Sequence, residues 1–155
     1  MAQGCHVPTG AHYSHAVSTH QEPGHAAVDP DQFKAALGRW ASGITVVTAQ
    51  GPEGPVGLTA SAFSSLSLHP PLVLVCIGQA SYHHDHLTQA DAFGIHILEA
   101  SQEEVSNTFA FKRGDRFDGL KVEEGPLGVP LLPGALARLC CERYQVIEEI
   151  GRAHV

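Results

Sequence analysis

Apolar side chains recur at helical spacing where the first regular pattern of the chain begins. Phe33, Leu37 and Trp40 lie three or four residues apart, which places them on one face of a helix. An Asp-Pro pair just before them is typical of an N-cap followed by proline in the first turn. The pattern predicts a helix over residues 30–41, with Gly43 ending it.

Short β-branched and apolar runs follow, separated by turn-forming residues. Residues 44–48 read Ile-Thr-Val-Val-Thr, and a Gly- and Pro-rich turn after them leads to a returning hairpin strand at 56–59. Two further strands are predicted at 66–68 and 72–77, on either side of a His-Pro-Pro sequence at 69–71. Strands this short and this close together predict a β-barrel.

The next part of the chain alternates helix and strand. A short helix is predicted at 82–90, and residues 92–98 are apolar at alternate positions, as in a strand. Ser101 and Glu104 have the spacing of a capping box, with Ser101 as the cap. This box predicts a helix that continues to about Phe111.

The last strand is predicted at about 139–146. If the stretch to Glu149 stayed unpaired, it would expose a sheet edge of the kind that proteins normally cover. We therefore expect either that the domain lacks its C-terminal closing strand or that a dimer partner covers this edge.

Composition indicates one globular domain preceded by a tail. Residues 1–28 hold five histidines without apolar periodicity, so we expect this segment to be disordered, and we assign the folded domain to 29–155. The 155 residues carry nine Lys and Arg against sixteen Asp and Glu, a net charge of −7, so no nucleic-acid partner is expected. The longest apolar run, 72–77, is too short to cross a membrane.

Neither the cysteines nor the histidines form a metal motif. The four cysteines include no C-x-x-C pair, which favours free thiols and a cytoplasmic protein. His83 and His84 are consecutive and would point in different directions on a helix, so no metal site is predicted there. Signatures of Rossmann dehydrogenases, P-loop NTPases, zincins and α/β-hydrolases are also missing from the sequence.

The most informative stretch is 57–77, which reads GLTASAFSSLSLHPPLVLVCI. Small hydroxyl residues beside a strand let backbone N–H groups and side-chain hydroxyls come close to a bound anion or flat heterocycle. We call residues 59–67 of this stretch the cradle. The cradle by itself predicts a ligand site without naming the ligand.

Five blocks, in order, carry a resemblance. The cradle stretch lies among FKAALGRWASGITVVT, FGIHIL, FAFKRGDRF and GVPLLPGALARLCCERY, which span roughly residues 29–151. Together they resemble the flavin reductase-like family, the small reductases of two-component flavin monooxygenases. The resemblance implies a mainly β, Greek-key split β-barrel of the FMN-binding type with short flanking helices, usually a homodimer. It also implies hydride transfer from NADH or NADPH to FMN or FAD, with reduced flavin passing to a separate monooxygenase.

The resemblance also implies roles for individual residues. His154, in a Gly-Arg-Ala-His segment where the family often has Gly-Asp-His, is the candidate catalytic residue beside the nicotinamide. Ser81 and the helix start after it would approach the flavin phosphate. The other candidate flavin-binding residues lie in the cradle, the strand after it and the FAFKRGDRF block: Thr59, Ala60, Ser61, Ser64, Ser65, Ser67, Cys76, Ile77, Phe109, Arg113, Asp115, Arg116 and Phe117.

Several alternatives remain open from the sequence. Serines and threonines near turns often bond only to local backbone, and Cys76 taken alone fits a small buried apolar residue. Arg116, between two aspartates, fits a surface ion pair. The alternative function is a flavin- or haem-binding split-barrel module without reductase turnover.

Overall fold

The computed structural model describes residues 29–149 and 152–154, and the chain divides into two compact units after Trp40. The predicted disordered tail, residues 1–28, lies outside the described residues. In the first unit, helix α1 (Pro30–Leu37) begins at Asp29, whose Oδ1 accepts from the N–H of Asp31 at 2.8 Å. The helix ends four residues earlier than predicted because Gly38, not Gly43, caps it.

The second unit is mainly β, as predicted. Its helices are α2 (His84–Gln89) and α3 (Glu103–Phe111). Its strands are β1 (Thr45–Gly51), β2 (Gly54–Ala60), β3 (Phe63–Leu68), β4 (Pro71–Gly78), β5 (Ala92–Ile97), β6 (Glu123–Glu124), β7 (Pro130–Leu131), β8 (Ala137–Glu142), β9 (Ile147–Glu149) and β10 (Arg152–His154).

Two four-stranded antiparallel sheets form a split barrel. The strand orders are β2-β1-β5-β8 and β3-β4-β10-β9, and β6 pairs with β7 in a small ribbon. The β1–β2 hairpin turns at residues 52–53, which is the turn that the sequence predicted. A β-bulge interrupts β3 between Ser65 and Ser67, so that Leu66 has no partner on β4.

Apolar side chains fill the space between the sheets and under α3. One cluster lies between the strands and includes Val47, Val56, Leu58, Val75, Ile77, Phe93 and Ile95. A second cluster joins α3 to the sheet through Val46, Phe109, Phe117 and Leu132. The second cluster matters for the site because two of its members belong to the FAFKRGDRF block.

Two predictions about helix ends were wrong. The reciprocal capping box joins Glu99 to Gln102, and Ser101 instead donates to the Glu99 carboxylate at 3.0 Å. A 3-10 turn at Ala100–Gln102 precedes α3, so the cap falls two residues before the one that the sequence suggested. The helix predicted at 82–90 is shorter, because its first residues form a turn.

The unpaired last strand was also not found. The stretch from residue 137 to 149 divides into β8, which pairs with β5, and β9, which pairs with β10. Strand β10 pairs in turn with β4. The chain after β8 is therefore part of the second sheet rather than one long edge strand.

A buried histidine joins three parts of the barrel. His96 on β5 is fully buried; its Nε2 accepts from the N–H of Leu132 at 3.0 Å. Its Nδ1 therefore carries the hydrogen that it donates to the carbonyl of Val46, also at 3.0 Å. Burial lowers the pKa of His96. The hydrogen bond to the Val46 carbonyl raises this pKa, and the charge of Arg138 lowers it, but the net direction is down. The imidazole is thus neutral, with one fixed tautomer.

Candidate functional site

The cradle begins at the end of β2, where helix α3 supports it. The hydroxyl of Thr59 donates to the carbonyl of Ser106 on α3 at 2.6 Å, and Ala60 is buried in the core. Ser61 is exposed in the turn that follows. The Thr59 hydroxyl is therefore engaged within the fold, whereas Ser61 presents its side chain to solvent.

The three serines of β3 face two environments. Ser64 is exposed and donates to the carbonyl of Ser65 at 3.0 Å. Ser65 and Ser67 line a groove of about 620 Å³ between the edges of β3, β4 and β8. We call this the edge groove; its lining residues are Ser65, Ser67, Leu68, Pro71, Leu72, Val73, Phe93, Leu139, Cys140, Cys141, Glu142, Arg143 and Tyr144.

Strand β4 carries the next candidates and brings the candidate catalytic residue beside them. Ile77 is buried in the core, and Cys76 is half-buried. In the β4–β10 ladder, His154 lies opposite Cys76 and Ala153 opposite Ile77. The backbone of His154 is therefore on the strand next to the predicted flavin-ring residues, 78 positions away in the sequence.

Ser81 lies in the turn that leads from β4 to α2. Its N–H donates to the carbonyl of Gly78 at 2.9 Å, and its own carbonyl accepts from the N–H of His84 at 3.0 Å. The side chain is half-buried. This turn places Ser81 three residues before His84, the first residue of α2.

Two of the three aromatic residues of the FAFKRGDRF block, Phe109 and Phe117, are core residues, whereas Phe111 is exposed. Phe109 is fully buried, and its ring meets that of Phe117 edge-on, with centroids 5.0 Å apart. A Cβ atom added at Gly57 would lie 2.8 Å from Phe109 Cε1. Phe109 therefore occupies the space that the missing side chain of Gly57 leaves on β2.

Arg116 is buried. The surface ion pair that the sequence suggested for it is therefore not found in the part of the chain that the structure describes. Arg116 is only 7% exposed. Its Nη1 donates to the carbonyl of Gly57 at 2.7 Å, and its Nε donates to the carbonyl of Lys112 at 2.8 Å. Among the described residues, no carboxylate forms a salt bridge with it. Burial lowers the pKa of Arg116, although a guanidinium remains charged.

The flanking charges of the block are exposed. Arg113 and Asp115 both face solvent, and one Asp115 oxygen accepts from the N–H of Phe117 at 2.8 Å. This bond shapes the turn that carries Arg116 into the interior. Asp115 thus orders the backbone and does not neutralise its neighbour.

A recess of about 440 Å³ opens beside this turn, and we call it the His83 recess. It lies between the β1–β2 turn, the start of α2 and the turn at 114–117; its lining residues are Pro52, Glu53, Gly54, Pro55, Val56, Tyr82, His83, His86, Gly114, Asp115 and Phe117. In the sequence, His83 belongs to a histidine cluster that could bind a metal or supply a general base. It lies two residues after Ser81, in the turn that leads into α2.

His83 is held in an unusual environment. Its Nδ1 is buried and has no hydrogen-bond partner among the described residues. The Tyr82 ring meets its ring edge-on, with centroids 4.7 Å apart. The His86 ring lies 5.9 Å away. Burial lowers the pKa of His83, and the charges of Arg116 and His86 lower it further. These effects favour the neutral imidazole.

Neither a metal site nor a membrane-spanning helix is found among the described residues. In that part of the chain, no group of three His, Cys, Asp or Glu side chains could hold a metal ion. His84 pairs instead with Asp85, with 2.8 Å between Nδ1 and Oδ1. None of the helices described is long and apolar enough to cross a membrane.

Comparison with known proteins assigns the family. Residues 37–154 match the model of the flavin reductase like domain. The chain belongs to this family. It is 46% identical over 111 residues to FMN reductase (NADH) SmoA of Agrobacterium fabrum, covering 72% of this chain and 63% of the relative. It is 40% identical to a probable flavin reductase of Rhizobium meliloti, covering 77% of this chain and 39% of that protein. The chain thus spans less than two thirds of either relative.

Solved structures of the family share the fold. The NADH:FAD oxidoreductase SgcE6 of Streptomyces globisporus C-1027 is 38% identical with a TM-score of 0.75, covering 84% of this chain and 81% of that one. A second structure of SgcE6 is a complex with NAD and FAD fragments. The split-barrel prediction is confirmed by these flavin reductase structures.

Proposed function

We propose that the protein is an NAD(P)H-dependent flavin reductase. It transfers hydride from NADH or NADPH to FMN or FAD, and the reduced flavin passes to a separate flavin-dependent monooxygenase. The observation that carries this proposal is the family match over residues 37–154, which includes both the cradle and the FAFKRGDRF block. The two segments also lie near each other, because Thr59 in the cradle bonds to Ser106 on α3, and Arg116 in the block bonds to Gly57, two residues before the cradle.

The fold needs to supply only binding and orientation. A bound flavin provides the hydride-accepting ring atom, so no protein nucleophile or metal is required. The turn at Ser61 and the half-buried edge of Cys76 offer polar groups next to a largely apolar wall. Such a surface suits a flat ring system, and holding two cofactors together would raise the rate through proximity.

The candidate residues divide by role under this proposal. Ala60, Ile77, Phe109 and Phe117 form the wall behind the flavin, while Thr59 and Arg116 fix the wall to α3. Ser61, Ser64, Ser65, Ser67, Cys76 and Ser81 are assigned to flavin contacts, with Arg113 and Asp115 at the rim. His154 is assigned to the nicotinamide, because its backbone pairs with that of Cys76.

A homodimer is part of the proposal. The edge groove is lined in part by exposed apolar residues, with Leu68 75% exposed and Tyr144 78% exposed. In the described residues, β3 and β8 are edge strands, and β4 pairs with β10 only over residues 76–78. Such edges are normally covered. We propose that a second subunit covers these edges; the alternative is an added closing strand.

Sedimentation tests the dimer. Leu68→Asp should change the sedimenting species from dimer to monomer, and a wild-type protein that sediments as a monomer would exclude the dimer.

The cytoplasm is the proposed location. Cys76, Cys140 and Cys141 are free thiols, which is usual where glutathione and thioredoxin keep cysteines reduced.

The decisive experiment is a turnover assay with the purified 155-residue chain. Oxidation of NADH and of NADPH is followed by absorbance with FMN and with FAD, each against a no-enzyme control. We expect flavin-dependent oxidation well above the uncatalysed rate for at least one pair. If the protein quenches flavin fluorescence but does not oxidise NADH or NADPH, the alternative of a flavin-binding module without reductase turnover is favoured. Haem binding is tested by a titration of the same protein.

A further inference from the structure

The guanidinium of Arg116 is bonded to backbone and shielded from solvent. Its Nη1 donates to the carbonyl of Gly57 at 2.7 Å and its Nε to the carbonyl of Lys112 at 2.8 Å, while only 7% of the residue is exposed. Arg116 is not among the residues that line the recess beside its own turn. The resemblance implies that Arg116 contacts the flavin, but this geometry favours an effect on the flavin through the backbone.

The end of α3 explains how a positive charge can be buried here. Lys112 is the C-cap of α3, and the last carbonyls of a helix carry partial negative charge. Basic side chains commonly bond to these carbonyls. In the described part of the chain no carboxylate forms a salt bridge with Arg116, so the helix end is the negative group beside its Nε. The guanidinium therefore stays charged, and a charged donor makes its bond to Gly57 stronger than a neutral one would.

Two hydrogen bonds from α3 and the turn after it hold the end of β2. Arg116 bonds to the carbonyl of Gly57, and two residues later the hydroxyl of Thr59 donates to the carbonyl of Ser106 at 2.6 Å. Among the described strands β2 pairs only with β1, on one of its edges. The position of the other edge therefore depends on α3. The turn of the cradle, with Ser61, follows directly.

We infer that Arg116 is a positioning residue for hydride transfer: by holding the carbonyl of Gly57, it sets where the cradle presents the flavin ring to the nicotinamide. The inference rests on the proposed function for the reaction. The hydride passes from nicotinamide to flavin, and Arg116 neither gains nor loses a proton or a bond in that step. Reacting atoms must lie about 3–3.5 Å apart, so a displacement of about 1 Å can cost on the order of a hundredfold in rate.

A displaced cradle should affect turnover more than affinity. Affinity is distributed over many contacts with the flavin, and each weakens little when the backbone shifts, whereas hydride transfer depends on one distance. We therefore expect Arg116→Met to lower kcat about tenfold or more. The flavin dissociation constant and the KM for the nicotinamide cofactor should change less than about threefold.

A deuterium isotope effect separates positioning from loss of stability. The nicotinamide cofactor that the wild type oxidises is prepared with deuterium at both C4 positions, and kcat is compared with that of the unlabelled cofactor at saturating flavin. If Arg116→Met slows the hydride step itself, that step limits turnover more fully and the isotope effect on kcat increases. Unfolding only lowers the concentration of active enzyme, so it reduces kcat without changing the isotope effect.

Three further variants complete the test. Arg116→Lys keeps the charge but lacks the planar fork that bonds to two carbonyls at once, so its kcat should lie between those of the wild type and Arg116→Met. Lys121→Met, which removes a positive charge at an exposed position, is the matched control and should keep the wild-type kcat and isotope effect. If Arg116→Met does not fold, Arg116→Lys and Thr59→Val, which releases the same end of β2, should both show the larger isotope effect.

The outcomes distinguish the two proposals. Folded Arg116 variants with an unchanged kcat and isotope effect would overturn the inference. A large loss of flavin affinity with kcat unchanged at saturating flavin would overturn it too, because that result would place the guanidinium on the flavin. A wild type that oxidises neither NADH nor NADPH would instead contradict the reductase function itself.

Discussion

The Nη1 atom of Arg116 donates to the carbonyl of Gly57 at 2.7 Å, joining residues 59 positions apart. The same guanidinium bonds to the carbonyl of Lys112, just after the end of α3. One side chain therefore fastens the C-terminal end of α3 to β2, two residues before the cradle. The geometry of the cradle depends on this connection.

Replacing Arg116 should destabilise the barrel. Arg116→Met keeps much of the side-chain length but removes the donors that bond to the Gly57 and Lys112 carbonyls. We expect a loss of about 1–3 kcal/mol in the free energy of unfolding, measured by urea denaturation. Lys121→Met, at an exposed position, is the matched control and should change stability little. Equal stability of the two variants would show that the guanidinium bonds contribute nothing.

Gly57 should not tolerate a methyl group. Its added Cβ would lie 2.8 Å from Phe109 Cε1 and 2.9 Å from the carbonyl oxygen of Val47. Gly57→Ala should therefore cost about 1–3 kcal/mol of stability through overpacking. Gly43→Ala is the control, because nothing lies within 4 Å of a Cβ at that position. The melting temperatures of both variants measure the difference, and a neutral Gly57→Ala would contradict the described packing.

The hydroxyl of Thr59 should matter for stability. Thr59→Val preserves the shape but removes the 2.6 Å bond to the Ser106 carbonyl. We expect a loss of about 1 kcal/mol, whereas Thr59→Ser should keep most of the wild-type value. Denaturant midpoints compare the three proteins. A Thr59→Val protein as stable as the wild type would mean that water replaces the hydroxyl without cost.

His96 should make the fold sensitive to acid. Its pKa is lowered in the folded state, chiefly by burial, so the unfolded chain binds the proton more readily. Its contribution to stability is therefore complete above the unfolded pKa of about 6.5 and declines as pH falls below it, by at most about 1.4 kcal/mol for each pH unit. Free energies of unfolding at pH 5, 6, 7 and 8 measure this decline.

His96→Gln is the comparison for that series. The amide keeps one donor and one acceptor but does not titrate, so the variant should lose less stability between pH 7 and pH 5 than the wild type. Parallel pH curves would exclude His96 as the group responsible.

His154 should affect the nicotinamide step and not flavin binding. On the proposed assignment, His154→Gln lowers kcat/KM for the preferred nicotinamide by about tenfold or more through misorientation, while the FMN dissociation constant stays the same. Arg152→Gln, in the same strand, serves as the control. Steady-state kinetics and fluorescence titration separate the two quantities. An equal loss of FMN affinity would place His154 at the flavin instead.

Local patterns allowed most elements of the barrel to be predicted. The β-branched run at 44–48 and the Pro-bounded apolar run at 72–77 both became strands within a few residues of their predicted ends. The N-terminal cap before α3 was less predictable. Glu99 and Ser101 both carry side-chain oxygen atoms that can cap a helix, and only the folded backbone places Glu99 at the capping position. The division of 137–149 into two strands depends on pairing with β5 and β10, which is a long-range property.

The site was predictable as a list of residues but not as an arrangement. The order of the blocks indicated which segments belong together. Nothing in the local sequence indicated that Arg116, between two aspartates, turns inward to Gly57, or that His83 lines a recess beside the same turn. These relationships arise from packing across β2 and α3, and residue types alone do not specify them.

The β-bulge in β3 determines where the chain can change in length. Ser65 pairs with Val73 and Ser67 with Leu72, so removal of Leu66 would leave both halves of the β3–β4 ladder in their present register. A one-residue deletion nearer the middle of β4 would instead turn every following side chain to the opposite face. Natural insertions and deletions in this hairpin should therefore concentrate at Leu66, where the backbone already accommodates a surplus residue.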